Sequence, residues 1–101
     1  MPNERRSNER FNSRLEVKWE GMAAMEARLD DISMGGCFVN TMGQVDPGEV
    51  MSLEIRTPSG EWVALRGVVT TYQPTIGFGM AFTLSTKEEE EALRNILSDM
   101  L

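Results

Sequence analysis

From Arg14 onward, apolar and polar residues alternate. Leu15, Val17 and Trp19 fall on one side of an extended segment, with Arg14, Glu16, Lys18 and Glu20 between them. That two-residue period is the pattern of a half-buried strand. Gly21 breaks the run. A second strand is predicted from about Ala23 to Ile32, with Met25, Ala27 and Leu29 inward and Glu26, Arg28 and Asp30 outward. Met34-Gly35-Gly36 marks a sharp turn or bulge. Cys37-Phe38-Val39 restarts a strand, Asp46-Pro47-Gly48 is a turn, and Val50 to Ile55 alternates with Met51, Leu53 and Ile55, or their neighbours, inward. Pro58-Ser59-Gly60 closes a hairpin into Glu61 to Tyr72, a stretch rich in β-branched and aromatic residues. Beyond Pro74, a last strand places Ile76, Phe78, Met80 and Phe82 at period two.

The period changes at Ser85. Ser85 and Thr86 are both N-cap candidates, and Glu88 and Glu89 stand three residues after them, so either register makes a capping box. Leu93, Ile96, Leu97, Met100 and Leu101 then recur at three and four residues, an amphipathic helix. Six short strands separated by turn signals predict a mainly β fold, a six-stranded antiparallel β-barrel over 14–84 with a C-terminal α-helix over 85–101. Residues 1–13 are polar and without period, and are predicted to form a flexible arm. The helix stripe packs on the barrel as a lid, or part of it meets a second copy or a partner, so the expected state is monomer or weak homodimer. The eight methionines suit an adaptable surface.

Composition narrows the chemistry. A chain of 101 residues has room for one domain and one modest core. No run approaches the roughly 18 apolar residues that span a bilayer, and no apolar stretch follows the basic start, so no secretory signal is expected. Cys37 is the single cysteine, which excludes an intramolecular disulfide and fits a reducing, cytoplasmic setting. Histidine is absent, which removes the commonest general base and metal ligand. Cys37 lies in an apolar run with no histidine to activate it and reads as a core residue. No calcium-type acidic loop occurs, and Glu88 to Glu91 reads as the solvated opening of the helix. No enzyme activity, metal or cofactor is expected. An acid–base pair at Asp30 and Asp31 is the remaining enzyme reading, and no neighbouring nucleophile or metal-ligand set supports it.

Charge is unevenly placed. The chain carries −6, yet residues 1–14 hold four of the eight arginines and a balance of +2, leaving −8 for the remainder. An acidic body argues against a DNA or RNA polymer as partner. It leaves room for a small anion held by a local arginine cluster. Two constellations stand out: Arg6-Ser7-Asn8-Glu9-Arg10 with Arg5 beside it, and Asp31-Ile32-Ser33-Met34-Gly35-Gly36 at a strand junction. Each alone is ordinary, a solvated basic arm and a turn in which Asp and Ser bond the local backbone.

Together, in this order, they resemble the PilZ domain, the bacterial receptor for cyclic di-GMP. Arg-x-x-x-Arg followed by Phe11, then Asp-x-Ser-x-x-Gly over Asp31 to Gly36, carries the resemblance. Gly36-Cys37-Phe38-Val39, Pro47-Gly48-Glu49-Val50 and Gly77-Phe78-Gly79-Met80-Ala81-Phe82 extend it over essentially the whole chain. The resemblance implies a PilZ-type barrel and a ligand with two guanines and two phosphodiester charges. Arg6 and Arg10, assisted by Arg5, would take phosphate or the guanine edge, because a guanidinium forks and stacks where a lysine cannot. Asp31 would accept from guanine N1 and N2, Ser33 would supply a hydroxyl to ligand or turn, and Gly36 would keep the backbone approachable. Gly35 is left to turn geometry. The implied mechanism is a switch: ligand draws the arm onto the barrel and a downstream protein reads the change. One departure is visible. Many members carry a tryptophan near the end of the fifth strand, whereas Val68-Val69-Thr70-Thr71-Tyr72 offers only Tyr72; Trp62 is too early and Trp19 reads as core. The alternative is a PilZ-fold adaptor that binds protein and no nucleotide, usually marked by loss of one of the two motifs.

Overall fold

Nearly every apolar row in the sequence lines the inside of one curved antiparallel sheet. The computed structural model describes residues 11–12, 14–20 and 24–100. Its elements are β1 (Phe11–Asn12), β2 (Glu16–Glu20), β3 (Ala24–Ile32), β4 (Gly36–Asn40), β5 (Val50–Arg56), β6 (Trp62–Gln73), β7 (Gly77–Phe82) and α1 (Lys87–Asp99). Strands β3-β2-β5-β6-β7-β4 pair in that order, and β4 pairs back onto β3, closing a six-stranded barrel. Closure leaves no long unpaired edge among these strands.

The short β1 lies within the segment expected to be an arm. Phe11 pairs with Ile32 and Asn12 with Asp31, while further along Leu15 accepts a bond from the Leu29 N–H and Glu16 faces Arg28. Both β1 and β2 therefore run along one edge of β3, with one more residue on their side than on β3 between Asn12 and Leu15.

Inside the barrel, Val17, Trp19, Leu29, Val39, Leu53, Ile55, Leu65, Val69, Phe78 and Met80 are buried. The Trp19 and Phe78 rings meet edge to face at 5.5 Å, a favoured aromatic geometry. Strand β5 alternates as expected, with Met51, Leu53 and Ile55 in and Val50 out. Cys37 is buried. Ile76 departs from expectation. It is exposed because β7 begins one residue later, at Gly77. The turn before β7 claims its backbone, with its N–H donated to Gln73 and its carbonyl accepting from Thr41.

Helix α1 follows the second of the two cap registers. Thr86 is the N-cap and Glu89 completes the capping box. Leu93 and Ile96 are fully buried against the barrel, with Leu84, Leu97 and Met100 packed partly around them. Two such side chains contribute about 1.5–3 kcal/mol each, which makes the helix a docked lid over this part of its stripe. Leu101 lies outside the described residues.

Candidate functional site

Two strands break step at facing positions. On β3 the pairing with β4 shifts between Leu29 and Asp31, leaving Asp30 as an extra residue. On β6 the pairing with β7 shifts between Val69 and Thr71, leaving Thr70 as the extra residue. A bulge re-aims the residues beside it. Asp30 is exposed and Asp31 half-buried, and Thr70 and Thr71 are both exposed, where strict alternation would turn one of each pair inward.

Between these bulges the outer wall of the barrel carries an open groove of about 430 Å³, lined by Asp31, Gly35, Gly36, Phe38, Thr70, Thr71 and Gly79, among others. Gly79 is the bare part of its floor. A Cβ built there would stand 2.7 Å from Thr71 Oγ1 and 3.2 Å from Thr70 Oγ1, so both hydroxyls lean over the Gly79 backbone. Asp31 is positioned on β3 between β1 and β4, opposite Asn12 on one side and Phe38 on the other.

The Asp-x-Ser-x-x-Gly turn is held by its own serine. The Ser33 N–H donates to the Gly36 carbonyl at 2.8 Å. The Ser33 hydroxyl donates to the same carbonyl at 3.4 Å and accepts from the Gly35 N–H at 3.2 Å. Ser33 is buried, so its hydroxyl serves the turn. The two glycines differ in what surrounds them. A Cβ on Gly36 would collide with the Met80 carbonyl, so glycine is required there for β4 to approach β7. Gly35 is exposed and a Cβ on it would meet only Ser33 Oγ, at 3.8 Å. Both glycines line the groove, and Gly35 is the one whose bareness no strand contact demands.

Of the residues singled out in the sequence, Asp31, Ser33 and Gly36 are brought together; Arg5, Arg6 and Arg10 lie outside the described residues. Tyr72 does not join them. The β6 bulge turns it inward, where it is half-buried and packs against the core. Thr70 and Thr71 occupy the groove wall in its place and were missed by the sequence reading. Their mark in the sequence is a phase slip. Inward residues of β6 run Leu65, Val69 and then Tyr72, and those of β3 run Ala27, Leu29 and then Ile32; each final step spans three residues where a regular strand takes two or four.

Among the described lining residues of the groove, Asp31 is the only acidic or basic one. The groove can accept hydrogen bonds from a base edge and donate hydroxyls, but its described residues supply no cation. Among the described residues no group of three or more His, Cys, Asp or Glu is placed to hold a metal, and no helix is long and apolar enough to cross a membrane.

The architecture is a closed six-stranded barrel with a glycine-lined groove on its outer wall and a helix docked at its side. The PilZ domain family matches residues 4–99, and the chain belongs to that family of cyclic di-GMP receptors. Solved structures agree on the fold. The inhibitor of motility of Bacillus subtilis, MotI/DgrA, superposes with a TM-score of 0.72 at 19% identity, over 93% of this chain and 50% of that one. The PilZ domain of CeSA from a cellulose-synthesizing bacterium superposes with a TM-score of 0.70 at 19% identity, over 89% of this chain and 96% of that one. The chain thus spans about half the length of the motility inhibitor. No curated protein matches the chain.

Proposed function

We propose that this chain is a cyclic di-GMP receptor whose groove takes a guanine edge and whose N-terminal arginines take the phosphates. The observation that carries the reading is the position of Asp31. It stands at the seam between β1 and the groove, and Arg10 immediately precedes Phe11, the first residue of β1. A guanine seated over Gly35 and Gly79 would offer its N1 and N2 donors to the Asp31 carboxylate. Thr70 and Thr71 would donate to its acceptors or to a phosphate oxygen.

Charge balance then requires the arm. The ligand brings two phosphodiester charges into a groove whose one acidic or basic residue, among those described, is an aspartate, and the body of the protein is acidic as well. Without cations from elsewhere, repulsion opposes binding. Arg5, Arg6 and Arg10 all come shortly before β1 in the sequence, and their guanidinium forks suit phosphate and the guanine O6 and N7 acceptors. Gly36 contributes by letting β4 approach β7, and Ser33 by fixing the turn.

Binding in this way folds the arm across Asp31, and the altered surface is what a downstream protein reads. The buried thiol of Cys37 suits a cytoplasmic setting for the exchange. Calorimetric titration tests the reading. Cyclic di-GMP is expected to bind saturably, at micromolar affinity or tighter, while GTP and cyclic di-AMP do not. Replacing Arg6 and Arg10 together by Ala is expected to abolish the heat of binding and leave Tm nearly unchanged. Unfolding of that variant would make the arm a structural element, and absence of binding by the unaltered chain would favour the adaptor.

A further inference from the structure

On the other side of β3 from the groove, three arginines converge from separate parts of the chain. Arg14 precedes β2, Arg28 lies mid-way along β3, and Arg56 ends β5; with Thr57 and Ser59 of the β5–β6 hairpin they line an open groove of about 510 Å³. Among the described lining residues Glu16 is the only carboxylate. Its Oε1 accepts from Arg56 Nη1 at 3.0 Å. Arg14 and Arg28 make no ion pair with any described carboxylate, and both are exposed. The groove therefore holds an excess of two positive charges on a chain whose net charge is −6. Thr57 and Ser59 add hydroxyls, their oxygens 2.9 Å apart.

From this arrangement we infer a second anion site, for a phosphate or phosphodiester group, separate from the groove at Asp31. Like charges held close on a sheet face cost free energy, and a bound oxyanion relieves that cost. Guanidinium groups from different strands present forks from several directions, which suits a tetrahedral oxyanion with acceptor oxygens on all sides. The Arg56–Glu16 pair uses one Arg56 nitrogen and leaves its remaining donors for the ligand. The site needs no residue of the Arg6–Arg10 motif or of the Asp31 turn, so it can exist whether or not that groove binds a nucleotide.

The test is titration of the full chain with inorganic pyrophosphate at constant ionic strength, followed through the arginine Nε–H signals in NMR spectra. Saturable shifts are expected at Arg14, Arg28 and Arg56, with the Ser59 and Gly60 amides moving in parallel. Arg28→Gln is expected to weaken the binding by about fivefold to tenfold; Arg14→Gln serves as a second variant should the first fold poorly. Cyclic di-GMP added to the Arg6→Ala/Arg10→Ala variant separates the sources. Shifts at Arg28 with that ligand identify a nucleotide phosphate, and shifts with pyrophosphate alone identify a free phosphate. Shifts that do not saturate, that are unchanged in both Gln variants, or that fall only on the Asp31 groove would overturn the site.

Discussion

At Gly35 and Gly36, adjacent glycines answer to different physical demands. Gly36 faces the Met80 carbonyl across the β4–β7 pairing, and any side chain there displaces backbone. Gly36→Ala is therefore expected to destabilise the fold by about 1–3 kcal/mol, as overpacking does, seen as a lowered Tm. Gly35 has open space around it. Gly35→Ala is expected to leave stability within about 0.5 kcal/mol, as exposed substitutions do, while weakening cyclic di-GMP binding. The pair separates fold from ligand in two measurements on neighbouring residues. Composition places glycine at both positions but does not say which one a strand presses upon, because that depends on β7, more than forty residues away in the chain.

Thr70 and Thr71 raise the same difficulty. Nothing in two adjacent threonines marks them as groove residues; the bulge that turns both outward places them there. The three-residue steps from Val69 to Tyr72 and from Leu29 to Ile32 were present in the sequence, but a strand is normally read at period two and a slip passes as noise. Exchanging Thr71 for Val keeps shape and removes the hydroxyl. Weaker cyclic di-GMP binding with an unchanged Tm is the expected outcome, and unaltered affinity would take Thr71 out of the site.

Among the elements, strands and helix were the most legible. Alternation located all six barrel strands to within a few residues, since burial of one face fixes the phase. Ile76 failed because its turn satisfies backbone partners rather than side-chain pattern. The helix cap was legible as two registers, and contact with the barrel chose between them. Arg66 of β6 reaches Glu89, with Nε donating to Oε2 at 2.8 Å and Nη2 to Oε1 at 3.2 Å, while the Ser85 and Thr86 N–H groups also donate to Oε1. Only the later register places the glutamate there.

That junction carries a pH signature. The Arg66 guanidinium, aided by the Thr86 and Ser85 backbone N–H groups, pulls the Glu89 carboxyl from 4.5 down to about 2. A carboxylate lowered in the folded state stabilises the fold above its unfolded value and loses that contribution as pH falls through the folded one. The Tm difference between the unaltered chain and Glu89→Gln is expected to be largest above pH 4.5 and to shrink as pH approaches about 2. A gap independent of pH would place the effect in packing. Thr86→Ala is expected to cost about 1 kcal/mol through loss of the cap.

On the scale of the whole molecule, the described groove at Asp31 holds acceptors and hydroxyls, and the arginines proposed to complete it belong to a different part of the chain. This division explains why the site was half legible. Asp31, Ser33 and Gly36 are close in sequence and share one turn, so a local motif found them. The β6 wall comes to Asp31 only through β7 and β4, and no local pattern announces a neighbour reached through two other strands. Arginines concentrated ahead of an acidic barrel fit the proposed receptor, in which the arm offsets the negative charge of the ligand.

Amide NMR spectra recorded during addition of cyclic di-GMP test this account most directly. The Gly35, Gly36, Thr70, Thr71 and Gly79 amides are expected to shift together and saturate at one ligand concentration, with Asp31 among the largest changes. Saturable shifts elsewhere on the barrel, with this set unmoved, would contradict it.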